Sequence, residues 1–214
     1  MCARYVFFSG KAFSDQFGGL AIPDLGPRYN IAPTQPVVAV ASGPEPKVLQ
    51  WGLVPSWAQD PSIGARMINA RAETVAEKPS FRTAFKRRRC LLPADGFYEW
   101  VGEKGHKQPF FLQVEPAPFA FAGLWEIWEG PDGYLETCTI ITTEANDAVR
   151  PIHDRMPVVI DQEDYGQWLD PAARPESLLP LLTPAAPERV KMWPVGKAVG
   201  NPRAEGPQLI ESVA

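Results

Sequence analysis

The chain has 214 residues, 45% of them hydrophobic and 21% charged, with a net charge of −4. Length and composition fit one generous soluble domain and exclude a disordered or fibrous chain, while the charge excludes coating of nucleic acid by bulk electrostatics. The longest apolar stretches, such as residues 119–125, fall far short of the ~20 residues of a membrane helix, and Met1-Cys2-Ala3-Arg4-Tyr5 lacks signal- or transit-peptide character, so a cytoplasmic protein without a membrane partner is expected.

Residues 37–42 and 48–53 are apolar, β-branched runs around Gly43-Pro44-Glu45-Pro46 and read as a hairpin. Ser80 reads as the cap of a short helix over Phe81, Phe85 and the basic run that follows. Residues 90–100 form a strand interrupted at Asp95-Gly96, and 108–114 and 119–125 form two more. Gly130-Pro131-Asp132-Gly133 turns into a strand over 135–142. Thr143 is placed to cap a helix over 144–149 that Pro151 ends. Residues 156–160 read as a strand, Asp161 as the cap of a helix through Trp168-Leu169, and 177–182 as a further helical stretch. The last strand candidates are 189–195 and 209–212. The 24 prolines are spread along the chain as punctuation between short elements. Together these features predict an α+β fold, a single domain over 1–214. A largely antiparallel, barrel-like β-sheet would carry a few short flanking helices, with a loose tail from about residue 203. No Gly-rich phosphate loop is present.

Cys2, Cys90 and Cys138 are an odd set with no CxxC spacing, so neither a disulfide framework nor a zinc site is encoded, and no metal or cofactor is expected. Cys90 and Cys138 read as buried strand residues. Cys2 differs, because removal of Met1 would leave an α-amine and a thiol on adjacent carbons. Such a 1,2-aminothiol captures aldehydes. The amine is partly unprotonated near neutral pH and forms an imine, and the thiol closes onto the imine carbon to give a thiazolidine. An internal cysteine cannot do this, because its nitrogen is an amide.

His153, in His153-Asp154-Arg155-Met156-Pro157, is a candidate proton donor with a guanidinium two residues on, or else a structural hydrogen-bonder. In a strand, Asn69, Arg71 and Glu73 would share one face, suiting a phosphate or sugar, or equally a structural network. Glu99 lies among Phe97, Tyr98 and Trp100. Burial there would disfavour its anion and make it a usable proton donor, the alternative being a pair with a surface arginine. Trp51 and Trp57 flank Gly52 and Pro55 as a platform on which bases could stack. Lys86-Arg87-Arg88-Arg89 is either a basic groove or a solvated helix face.

Taken in order, Met1-Cys2, Arg28-Tyr29-Asn30-Ile31-Ala32-Pro33-Thr34, Trp51-Gly52-Leu53-Val54-Pro55, Asn69-Ala70-Arg71-Ala72-Glu73-Thr74, Ala94-Asp95-Gly96-Phe97-Tyr98-Glu99-Trp100, Pro109-Phe110-Phe111, His153-Asp154-Arg155-Met156-Pro157 and Ala198-Val199-Gly200-Asn201 resemble the SOS-response-associated peptidase family over nearly the whole chain. That resemblance implies covalent capture of abasic sites in single-stranded DNA by the N-terminal cysteine, shielding the lesion during replication, with lyase and self-processing side activities. It implies Cys2, Asn69, Glu99 and His153 as catalytic residues. Arg4, Arg71 and Arg155 would contact phosphates, Pro33 and Trp57 neighbouring bases, and the protein would act as a monomer. The family usually has glycine after the cysteine. Ala3 would slow capture if that backbone required a positive φ or lay against the sugar. The competing readings are an N-terminal-cysteine peptidase or amidohydrolase and a non-covalent reader of modified DNA.

Overall fold

The computed structural model describes residues 2–103, 105–131 and 133–213. In chain order its strands are β1 (Tyr5–Phe7), β2 (Arg28–Ile31), β3 (Pro36–Ala41), β4 (Glu45–Trp51), β5 (Asn69–Arg71), β6 (Arg89–Ala94) and β7 (Gly96–Val101). They continue with β8 (Gln108–Val114), β9 (Phe119–Gly130), β10 (Gly133–Glu144), β11 (Arg155–Pro157), β12 (Val159–Ile160) and β13 (Val190–Pro194). Among the described residues four short α-helices accompany them, α1 (Gly10–Asp15), α2 (Arg82–Arg87), α3 (Tyr165–Leu169) and α4 (Pro175–Leu178), together with several 3-10 turns.

Strands β10, β4, β3, β6 and β9 pair in that order, and β9 pairs back onto β10, so the five close into a barrel. The β10–β4 seam is parallel and the other four are antiparallel, so the sheet is mixed but mostly antiparallel as the sequence predicts. Closure removes the free edges that a five-strand sheet would otherwise expose. It depends on small residues where β6 crosses β9: a Cβ on Gly123 would come within 2.8 Å of the Cys90 sulfur. Every residue of β6 is buried, which is why Arg89-Cys90-Leu91-Leu92-Pro93-Ala94 reads as a continuous run and not an alternation.

A second sheet, ordered β13-β8-β7-β1-β2, lies against the barrel. Its two faces separate with the period of two expected of a strand. Tyr5 and Phe97 face the barrel core, where Tyr5 meets Trp51 edge-on at 5.3 Å and Phe121 at 5.7 Å. Val6, Tyr98 and Phe111 face the other way and form a smaller core with Val195, Val199 and Leu209. The tail after residue 203 is thereby tied down: Leu209 is buried, Ser212 bridges Val195, and the Val213 N–H donates to the Pro194 carbonyl at 3.0 Å.

The predicted hairpin, the break at Asp95-Gly96 and the strand over 108–114 are found in place. Of the predicted turn at 130–133, Asp132 lies outside the described residues. Several local readings need correction. Thr143 caps no helix: it is buried in β10 opposite Met156 of β11, and the Asn146 side chain and carbonyl organise the following turns. Neither Ser80 nor Asp161 makes a capping bond; α2 begins after Phe81, and Asp161 accepts from Arg189 at 2.7 Å. The strand over 156–160 is split, since β11 joins β10 while β12 joins β9. Residues 207–210 form a 3-10 turn opened by Pro207 and not a strand.

Candidate active site around Cys2

The N-terminal segment is set by pairing between β1 and β7, which matches Tyr5 with Phe97 and Val6 with Gly96. The Tyr98 N–H donates to the Arg4 carbonyl at 3.0 Å, and the same register carried outward places Ala3 and Cys2 alongside Glu99 and Trp100. From the barrel side, Asn69 of β5 donates its side-chain N–H to the Cys2 carbonyl at 2.9 Å. Cys2, Asn69 and Glu99 therefore converge from three segments far apart in sequence. Removal of the initiator falls on Met1, which lies outside the described residues.

Cys2 is fully buried, and its sulfur lies 3.9 Å from the Arg4 carbonyl. Burial pushes the thiol pKa up, and the Glu99 carboxylate adds to the rise. The sulfur is thus held as a thiol at neutral pH, so chemistry there needs a nearby proton acceptor. Glu99, itself 4% exposed, is the carboxylate beside it. The Asn69 side-chain oxygen is buried without a hydrogen-bond partner among the described residues. A buried acceptor left empty costs about 1–3 kcal/mol, which marks it as a place for a ligand's N–H or O–H.

Trp51 is a core residue and no stacking platform. Its ring is buried against Tyr5, and its indole N–H donates to the Ile68 carbonyl at 2.9 Å, fixing the residue before Asn69. Sequence reasoning missed this positioning role, although a tryptophan amid an apolar run was a signal for the core. Trp57 is 58% exposed, on a loop pinned to the barrel by the Trp128 indole on the Ala58 carbonyl and the Val54 N–H on Thr137. Pro33 sits at a tight turn whose next residue, Thr34, has φ +71°. Among the described residues Thr34 is the one non-glycine with positive φ, so Ala3 adopts an ordinary backbone and incurs no such strain.

The arginines separate by partner. Arg4 donates to Asn30 and to the Val199 carbonyl, both at 2.9 Å, and braces the C-terminal segment; burial lowers its pKa. Arg71, at the end of β5, is exposed, and its side chain makes no hydrogen bond among the described residues, lying within electrostatic reach of Glu73. Arg155 forms a bidentate pair with Glu73, at 2.7 and 3.0 Å, and donates to the Thr142 carbonyl at 2.6 Å. Glu73 does not extend β5 as a third residue on its face but lies in the 3-10 turn Ala72–Thr74, which swings it over to Arg155. Within the basic run, Arg89 is buried on the carbonyls of Phe85, Lys86, Trp168 and Asp170, and Arg88 pairs with Glu126. Arg88 and Arg89 are therefore structural braces, while Lys86 and Arg87 lie exposed on α2.

His153 precedes β11. The Arg155 N–H donates to its Nδ1 at 2.9 Å, so the neutral ring carries its proton on Nε2. Asp154 also approaches Nδ1 at 2.8 Å, but one nitrogen cannot accept from the backbone and donate to a carboxylate at once. The backbone bond decides, because Asp154 is 86% exposed and its pull is screened by water. Thr142 of β10 links the halves of the site: it pairs with Arg71 of β5 on one edge and Pro157 of β11 on the other.

A cavity of about 460 Å³ between β1, α1 and residues 21–28 is lined by none of Cys2, Asn69, Glu99 or His153, so the chemistry and the enclosed space lie apart. Among the described residues no three His, Cys, Asp or Glu side chains gather as metal ligands, and no helix is long and apolar enough to cross a membrane.

The family model described as SOS response associated peptidase matches residues 1–202. The chain is 42% identical to the abasic site processing protein YoqW of Bacillus subtilis, covering 99% of this chain and all of that protein. It is 32% identical to the abasic site processing protein YedK of Escherichia coli, covering 87% and 85% of the two chains. Among solved structures, a protein from Bacteroides thetaiotaomicron matches at 27% identity over the full length of both chains, with a TM-score of 0.89.

Proposed function

This chain belongs to the SOS response-associated peptidase family of abasic site processing proteins, and we propose that it captures abasic sites in single-stranded DNA as a thiazolidine on Cys2. The observation that carries this reading is the convergence of Asn69 and Glu99 on a buried N-terminal cysteine.

In this mechanism Met1 is removed and the Cys2 α-amine attacks C1′ of the ring-opened deoxyribose. The carbinolamine loses water to give an imine. Sγ then adds to the imine carbon while the thiol proton passes to the nitrogen, so aldehyde and aminothiol become thiazolidine and one water. Because burial keeps the thiol protonated, Glu99 is the group that relays that proton. Asn69 fixes the Cys2 carbonyl and offers its empty acceptor to the sugar hydroxyl or the amine. His153, with its proton on Nε2, serves the sugar ring oxygen during opening, or β-elimination in a lyase side reaction. Arg71 is the open cation for a flanking phosphate. Trp57 and Pro33 offer surfaces to neighbouring bases, and Arg4 acts through the segment it braces. The crosslink shields the lesion, and self-processing is confined to freeing Cys2. A monomer suffices for all of these steps.

The test is a denaturing gel of the purified protein with single-stranded DNA carrying one abasic site, without borohydride. A covalent band is expected that disappears in Cys2→Ala and with an intact oligonucleotide. No band from protein shown by mass spectrometry to begin at Cys2 overturns the reading and favours an amidohydrolase or a non-covalent reader.

A further inference from the structure

Arg71 pairs with Thr142 of β10 and the Arg155 side chain donates to the carbonyl of that same residue, yet only Arg71 is open. Arg155 spends both terminal nitrogens on Glu73, and one of them also on the Thr142 carbonyl. Its Nε is buried and has no partner among the described residues, so that nitrogen is out of reach of a ligand. The Arg155 side chain is 12% exposed against 45% for Glu73, so the carboxylate lies on the solvent side of the guanidinium. A bidentate carboxylate occupies the fork that a phosphate would take.

We infer that Glu73 is a specificity-determining residue that latches Arg155 against phosphates, so intact DNA meets one open arginine at this end of the site instead of two. The inference rests on the proposed capture of abasic DNA. Its logic is selectivity: lesions are rare, and a protein that retains them covalently gains nothing from holding undamaged strands tightly. Phosphate contacts supply affinity without regard to sequence or damage. Neutralising one arginine with an internal anion removes such a contact while keeping the guanidinium in place on the Thr142 carbonyl. A DNA phosphate reaches Arg155 only by displacing Glu73.

The experiment measures binding of a fluorescent, intact single-stranded oligonucleotide across a salt series for wild type, Glu73→Gln, Arg155→Gln and the double variant. Glu73→Gln is expected to bind about fivefold tighter at low salt, with a slope of log affinity against log salt steeper by ~0.7, one added phosphate contact on a single strand. The steepening must vanish in the Arg155→Gln background. A through-space effect of one lost carboxylate would instead appear equally in both backgrounds and overturns the latch, as does an unchanged slope in Glu73→Gln. Thermal melting confirms folding. Should Glu73→Gln melt early, Glu73→Asp, too short for the bidentate reach, is read for the same steepening. Wild type that forms no Cys2-dependent crosslink sinks the proposed function, whatever the slopes; a normal crosslink with unchanged slopes sinks only the latch.

Discussion

Thr34 is held at φ +71°, a region that β-branched residues avoid because Cβ crowds the backbone. The turn forces it there: Pro33 precedes it, the Gln35 N–H reaches the Ala32 carbonyl, and the Thr34 N–H is fixed on the Trp51 carbonyl at 2.7 Å. Its side chain is exposed and makes no hydrogen bond among the described residues, so nothing local repays the strain. Strain retained beside a candidate base-contacting surface is characteristic of functional turns. Thr34→Asn, which tolerates positive φ, should stabilise the fold by about 1 kcal/mol and raise Tm by about 2–4 °C, read by calorimetry. An unchanged or lower Tm would place the strain elsewhere.

At the scale of elements, the loop bearing Trp57 depends on two glycines in contact. A Cβ on Gly52, at φ +131°, would meet the Gly64 carbonyl oxygen at 2.6 Å, and one on Gly64 would meet that of Gly52 at the same distance. Gly52→Ala should cost about 3 kcal/mol through backbone overpacking. Gly43→Ala, also at positive φ but with open space around it, should cost only about 1 kcal/mol for its conformation. Urea denaturation of the two variants tests the difference, and equal costs would mean that the loop moves freely off the barrel. The same elements show what the sequence could reveal. The run 90–94 was legible because burial of a whole strand demands apolar residues in succession, and 108–114 because its apolar centre, Pro109-Phe110-Phe111-Leu112, lies between half-buried glutamines. β1, β2 and β5 were not, because three or four residues carry no period and are strands only through partners far along the chain. The convergence on Cys2 was reached through ordered motifs and not from spacing. The latch on Arg155 was missed because Glu73 leaves its strand at a turn that no local pattern announces. Trp51 and Thr143 went astray for a related reason: each looks available in sequence and is consumed by the barrel.

At the scale of the molecule, three thiols are locked inside the fold. Burial raises the pKa of Cys2, Cys90 and Cys138 above that of an unfolded cysteine. The folded state therefore keeps protons that the unfolded chain releases. The stability they contribute is complete below pH ~8.5 and is lost as pH climbs toward the folded values. Each thiol should steepen that loss by about 1.4 kcal/mol per pH unit in this range. Denaturant titrations from pH 7 to 10 should show falling stability, and Cys138→Ser, once corrected for its own destabilisation, a shallower fall. A flat profile would mean that the thiols titrate in the fold as they do in water. The barrel that buries them also sets an order of events during synthesis. Glu99 emerges about a hundred residues after its neighbour Cys2, and β5, which carries Asn69, is paired by β10 at Ile140–Thr142. At roughly 5–20 residues per second that interval is on the order of ten seconds. Throughout it Cys2 lacks the neighbours that later enclose it, and the capture proposed above requires its amine to be freed within that window, before the fold closes over it.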